Sequence, residues 1–259
     1  MQAVLSHPMG DDLIQDLVDD IRLGCPVRSL SGVLDDLEAA YDVQDQVVPH
    51  LGPTCGRKIA MNSAALMEMA RITEPIVGHV VGDAPLASGA SLRVSDYREL
   101  AVEPEFAVVI AKDIPAGTRI EARALGDVIA RISLAFELLD KRNDTHAMHA
   151  PTFVANNVYN AGIVLDQAPL DIAALDAGAY AATFTAKGGV IVNGPATAPQ
   201  NPLEACAFVI NHFTARGQAV KAGEVILCGA HHPPMVIEGT GTYEFSLSSG
   251  QEVSLSISP

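Results

Sequence analysis

Apolar residues recur at helical spacing in only a few parts of this chain; elsewhere they alternate or run together. Over 11–23, Leu13, Ile14, Leu17, Val18 and Ile21 fall on one stripe, which predicts an amphipathic helix with Gly24 as its stop. Ser31 is a candidate N-cap for a second helix reaching about Val48 through Leu34, Leu37, Tyr41 and Val47. Pro53 and Gly56 interrupt the pattern, and a short helix is expected after Ser63, through Leu66, Met67 and Ala70. From about residue 77 strands dominate. Residues 102–110 alternate, with Val102, Phe106, Val108 and Ile110 on one face and Glu103, Glu105, Ala107 and Val109 on the other. A helix is expected at 121–130, a buried strand at 131–139 and a polar loop, mobile or ligand-facing, at 140–155. Then come a strand from Gly162, a hairpin turning on Lys187-Gly188-Gly189, a helix at 202–213 and a strand between Gly223 and Gly229. A final hairpin alternates through Tyr243, Phe245 and Leu247, then Val253, Leu255 and Ile257. Strands of mixed length with scattered helices predict an α+β fold, not a doubly wound sheet. The pattern divides into a small helical N-terminal lobe, 1–55, and a β-rich domain, 56–259.

Composition narrows this picture. Hydrophobic residues make up 49% of the 259, yet aromatics are 5% and Trp is absent, so the core must be built mainly from Val, Ile, Leu and Ala. The net charge of −15 excludes nucleic acid and anionic membrane as partners, since both demand a basic surface. No apolar run approaches the roughly 18 residues of a membrane span. The opening Met-Gln-Ala-Val-Leu-Ser-His-Pro lacks a basic n-region, so no secretory signal is read and a cytoplasmic location is expected. Cys25, Cys55, Cys206 and Cys228 have no metal-ligand spacing and read as reduced thiols.

Three acidic residues stand out against this background. Glu103 and Glu105 lie two apart, so a strand projects them from one face, where they repel unless a cation lies between them. A solvated strand face is the alternative. Pro104 cannot donate to a ladder, which predicts an edge or a bulge. Glu137 sits in the apolar run Leu134-Ala-Phe-Glu-Leu-Leu139, where a carboxylate needs a pair or a metal. Arg131, Lys141 or another basic side chain could supply that pair. Lys58, read by itself, is a surface lysine. His79 reads as structural. His146 and His149, three apart, are a loop pair or a weak metal motif, and His231-His232 follows the strand ending at Gly229.

Several segments, in order, resemble the fumarylacetoacetate hydrolase superfamily, and within it the 2-keto-4-pentenoate hydratase and 4-oxalocrotonate decarboxylase branch. They are Ala40-Tyr41-Asp42-Val43-Gln44, Gly56-Arg57-Lys58-Ile59 with Ser63, Val102-Glu103-Pro104-Glu105-Phe106-Ala107, Phe136-Glu137-Leu138-Leu139-Asp140, Val154-Ala155-Asn156-Asn157 and Gly223–Gly229 with Pro234-Met235. The resemblance covers about 35–257. It implies a mixed β-sandwich roll and a Mg2+ or Mn2+ held by Glu103, Glu105 and Glu137. It further implies Lys58 as a catalytic residue, and Ser63, Asn156, Asn157, Tyr159 and His231 as substrate contacts. The implied activity is that of a hydro-lyase on a small anionic 2-keto or 2-hydroxy-dienoic acid, through an enolate that the metal stabilises. The alternatives are a 4-oxalocrotonate-type decarboxylase, a C–C hydrolase of an acylpyruvate-like diketone, and a non-catalytic acid-binding or partner paralogue. A dimer-based homo-oligomer, with a possible pathway partner subunit, is expected. The chain departs from the branch at Asn156, where Asp is usual, at Tyr159 and Asn160, where small serines are usual, and at Gln200-Asn201, where Gly-His is usual. These departures spare the three glutamates.

Overall fold

The computed structural model describes residues 11–171, 180–196 and 199–259; the N-terminal stretch read for a secretory signal lies outside them. The helices are α1 (Asp11–Arg22), α2 (Leu37–Leu51), α3 (Ala64–Ala70), α4 (Ala150–Ala155) and α5 (Pro202–Ala215). The strands are β1 (Thr54–Ala60), β2 (Ile76–Val81), β3 (Leu86–Ala87), β4 (Ala90–Arg93), β5 (Leu100–Ile110), β6 (Ile129–Asp140) and β7 (Asn160–Leu165). They continue as β8 (Ala181–Ala186), β9 (Gly189–Pro195), β10 (Val225–Ala230), β11 (Met235–Val236), β12 (Gly241–Leu247) and β13 (Glu252–Ser258). The fold is α+β. One mixed sheet runs β2-β1-β10-β5-β6-β7-β3, with β11 attached to β5, and a second runs β4-β13-β12-β8-β9.

The first sheet is buried on both faces, which is why β5 and β6 read as apolar runs. Cross-strand partners share a face, so the register assigns each side chain. Phe106, Phe136, Leu134 and Leu138 point into the main core, which also holds Phe184, Phe245 and Leu255 of the second sheet and Leu17, Tyr41 and Val47 of α1 and α2. The opposite face carries a smaller apolar cluster that includes Ala107, Val109, Ala135, Ile163, Val225 and Leu227. Small residues such as Ala107 and Ala135 suit the inner side of a curled sheet. The second sheet is half-buried, and β12 and β13 show the expected alternation.

The curl brings β2 round to β7, and asparagine side chains close the seam. Asn157 Oδ1 accepts from His79 N at 2.8 Å, while Asn157 Nδ2 donates to His79 O at 3.0 Å. Asn160 Oδ1 accepts from Val81 N at 2.9 Å. These contacts satisfy backbone groups on an edge strand that would otherwise be buried without partners. Asn157, Val158 and Tyr159 all have positive φ, at 50°, 47° and 60°. Such a run is costly, above all for β-branched Val158, and it aims the two asparagines back at β2.

Several elements differ from the pattern. α2 begins at Leu37, because Asp36 accepts from Ala39 N at 2.8 Å and takes the capping role from Ser31. Residues 122–127 form a 3-10 segment in place of the expected helix. The polar loop ends in α4, capped by His149. Residue 55, the expected limit of the N-terminal lobe, falls inside β1. Pro104 lies at the centre of the sheet, not at an edge. The bulge expectation holds, because the β10–β5 register shifts between Leu227 and Ala230. His231 N donates to Pro104 O at 2.8 Å, so the missing proline N–H faces this irregular side, where no regular ladder bond is lost. The four cysteines are free. Among the described residues, no helix is long and apolar enough to cross a membrane.

Candidate metal centre and its cavity

Glu103 and Glu137 are direct cross-strand partners, and Glu105 projects beside Glu103 from the same face. Like charges directly opposite one another destabilise a sheet. Here one oxygen from each of the three carboxylates lies within 4.8 Å of the others, with Glu103 half-buried and Glu105 and Glu137 buried. Lys58 reaches this face from β1, three strands from β6 in the sheet order, which only a curled sheet allows. Its Nζ lies 3.1 Å from Glu137 Oε1, and both side chains are sealed from solvent, at 2% and 0% exposure. The pair that Glu137 requires is therefore with Lys58. Arg131 instead bonds Ser133 and Gln167.

The remaining contacts hold the carboxylates in place. Asn160 Nδ2 donates to Glu137 Oε1 at 2.8 Å, and Gly229 N donates to Glu105 Oε2 at 2.9 Å. Gly229 adopts φ +108°, and a Cβ there would come within 2.5 Å of Asn62 Nδ2, so this turn of β10 requires glycine. Glu137 Oε2 is buried with no hydrogen-bond partner.

One ammonium faces three carboxylates, and their proton affinities reflect it. Burial, then the neighbouring Glu137 charge, pushes Glu103 up to about 8. Burial and the charges of Glu137 and Glu103 hold Glu105 well above the usual carboxylate range. Burial works to lower Lys58, but the carboxylates, Glu137 foremost, outweigh it and keep the ammonium protonated. Convergent buried oxygens, one of them orphaned, and too little positive charge make a donor set that a hard divalent cation fits.

The carboxylates open into a cavity of about 520 Å3 whose walls include Ile59, Met61, Leu66 and His231, with Glu103 and Glu105 inside it. The His231 ring packs edge-on against Phe106, with centroids 4.5 Å apart, and lies 5.2 Å from Phe245. Ser63 also lines the cavity, while its hydroxyl caps α3 by accepting from Leu66 N at 3.3 Å.

The structure does not bring Asn156, Asn157 and Tyr159 to this cavity. Asn156 accepts from Arg142 Nη2 and donates to Thr152 O at 2.8 Å. Asn157 is committed to His79, and Tyr159 OH donates to Asp144 at 2.6 Å. Each spends polar atoms on internal bonds, and none of the three lines this cavity. His146 bonds Val27 O and His149 bonds Asp35 and Thr152, so neither faces the carboxylates. Asn160 and Gly229 are the contacts that sequence reasoning missed. The only signals were a polar residue in place of a small serine and a glycine ending an apolar strand.

No protein-family model matches the chain. Among solved structures, a 4-oxalocrotonate decarboxylase from Pseudomonas putida G7, complexed with magnesium and adipate, superposes with a TM-score of 0.85 at 17% identity, covering 97% of this chain and 100% of that one. The same decarboxylase complexed with calcium and acetate gives a TM-score of 0.82 at 18% identity, covering 95% and 96%. The architecture is that of the fumarylacetoacetate hydrolase fold. A 2-hydroxyhexa-2,4-dienoate hydratase of Comamonas testosteroni is 31% identical over 202 residues, covering 72% of this chain and 75% of the relative. A 2-keto-4-pentenoate hydratase of Paraburkholderia phymatum is 28% identical over 189 residues, covering 73% and 72%. The chain belongs to the 2-keto-4-pentenoate hydratase branch of the fumarylacetoacetate hydrolase superfamily.

Proposed function

We propose that the protein is a divalent-metal-dependent hydro-lyase that hydrates a small 2-hydroxy-dienoic acid of the 2-hydroxypenta-2,4-dienoate type, using Mg2+ or Mn2+ at Glu103, Glu105 and Glu137. The observation that carries this reading is the charge of the cavity wall. All 16 lysines and arginines of the chain lie within the described residues, and none of them lines the cavity. The far carboxylate of a dicarboxylic acid would enter it without a lysine or arginine to meet its charge, which is costly. A short alkenyl tail suits Ile59, Met61 and Leu66. This favours a monoacid over a 4-oxalocrotonate-type diacid, and hydration over decarboxylation. Relatives named as hydratases of 2-keto-4-pentenoate and 2-hydroxyhexa-2,4-dienoate support the same reading.

Bound at the cluster, a divalent cation supplies Lewis-acid polarisation of the acid's carboxylate and C2 oxygens. The chain's own residues position and protonate. Gly229 fixes Glu105 and Lys58 balances Glu137 while keeping a proton 3.1 Å from it. His231, packed against Phe106 and Phe245, is a substrate contact of the wall, and Lys58 is the group that carries a proton beside the carboxylates. Ile59, Met61 and Leu66 exclude water from the tail. A dimer-based homo-oligomer, alone or beside a pathway partner subunit, belongs to the same proposal and is checked by sedimentation.

The test is turnover. With Mg2+ or Mn2+, 2-hydroxypenta-2,4-dienoate should lose its dienol absorbance without CO2 release. Preferential turnover of 4-oxalocrotonate with CO2 release would overturn the hydratase reading in favour of decarboxylation. Metal binding with no turnover of either acid would favour the binding-only paralogue.

A further inference from the structure

Glu137 has two oxygens with very different surroundings. Oε1 receives Lys58 Nζ at 3.1 Å and Asn160 Nδ2 at 2.8 Å, whereas Oε2 is buried with no partner. Asn160 is itself fixed. Its Oδ1 accepts from Val81 N at 2.9 Å and from Gly162 N at 3.1 Å, which ties the amide to β2 and β7 and fixes which end faces Glu137. The side chain is 8% exposed. A buried amide with both ends engaged has no freedom to turn, so it locks the carboxylate it touches.

We infer that Asn160 is a positioning residue for the metal centre: together with Lys58 it occupies Glu137 Oε1, so that the carboxylate offers a single oxygen, Oε2, to the cation. The inference rests on the metal reading proposed above. The lysine provides charge and the amide provides direction. The amide comes from the seam that closes the curled sheet, so one side chain serves both that seam and the aim of the metal ligand. Outer contacts of this kind commonly change metal affinity by about 10–100-fold when removed.

The role is tested by a double-mutant cycle on Mn2+ affinity, read from the free-ion signal in electron paramagnetic resonance. Glu137→Asp keeps a carboxylate but withdraws it from Asn160 by one methylene. Asn160→Ala should weaken Mn2+ binding about tenfold or more with Glu137 present, and less than twofold in the Glu137→Asp background. A residue that only stabilises the seam would cost the same in both backgrounds. Equal cost in both, or no cost in the first, overturns the inference and leaves the metal reading standing. Failure of the unmodified protein to bind Mn2+ overturns both. If Asn160→Ala does not fold, Asn160→Ser, which retains an oxygen for Val81 N, takes its place in the same cycle.

Discussion

Two groups of charges in this molecule have the same composition and opposite physics. On the surface, Arg216 gathers Glu38, Asp42 and Asp45 at 3.0, 2.6 and 2.8 Å, which ties α5 to α2. Inside the sheet, Lys58 faces Glu103, Glu105 and Glu137. Each group has three carboxylates and one cation. The surface carboxylates are 77%, 69% and 29% exposed, so water and salt absorb their excess charge. The interior carboxylates have far less of that outlet, Glu105 and Glu137 being buried and Glu103 half-buried, and two of the three hold their protons far more tightly than usual. A three-to-one ratio is therefore no sign of a metal. Convergence in a dry place is, because only there does the unbalanced charge have to be met by an ion or a proton.

The largest effect that would break this contrast comes from the ligands. Glu105→Ala should abolish Mn2+ binding and reduce dienoate turnover by more than the roughly 100-fold typical of outer contacts, as measured by titration and steady-state assay. Next is the buried ion pair. Lys58→Met leaves Glu137 sealed without its counter-charge, and should destabilise the metal-free protein by about 3 kcal/mol or more in denaturant unfolding. Adding Glu137→Gln to it should recover most of that loss, because the unbalanced charge is gone.

Proton linkage sharpens the comparison further. The Glu103 carboxyl rises from an ordinary value of 4.5 to about 8 in the fold, so the folded state holds that proton more tightly. Its contribution to stability is full below about 4.5 and is lost as pH rises through about 8. The melting temperature of the metal-free protein should therefore fall across this window, and saturating Mn2+ should remove the fall by replacing the proton. A metal-free melting temperature that rises steadily over the same range would contradict the charge state assigned to the cluster. The smallest effect belongs to the surface group. Arg216→Met should cost about 1 kcal/mol, less at high salt, and leave Mn2+ affinity unchanged.

Local pattern reveals local geometry, and this chain shows where that ends. Alternation places Glu103 and Glu105 on one face, and an apolar run marks Glu137 as anomalous. That Glu137 stands opposite Glu103 is a matter of register between strands, which no window of sequence contains. Lys58 looks like a surface lysine because its partner is three strands away in the sheet; only the resemblance to known hydratases marked it. The seam was the least legible part. Asn156, Asn157 and Tyr159 are polar residues near an expected site, yet each makes internal hydrogen bonds, and the left-handed run over Asn157–Tyr159 is one that propensity does not foresee. Ser31 lost the cap of α2 to Asp36 because both are good caps and only the packed chain chooses between them.

The account turns on whether the three glutamates share one ion. Anomalous diffraction at the manganese edge from crystals grown with Mn2+ asks this directly. The account predicts one peak at inner-sphere distance from oxygens of Glu103, Glu105 and Glu137, with Lys58 and Asn160 still on the far oxygen of Glu137. No peak between the three carboxylates, or manganese bound only at surface carboxylates such as Glu38, Asp42 and Asp45, would contradict it.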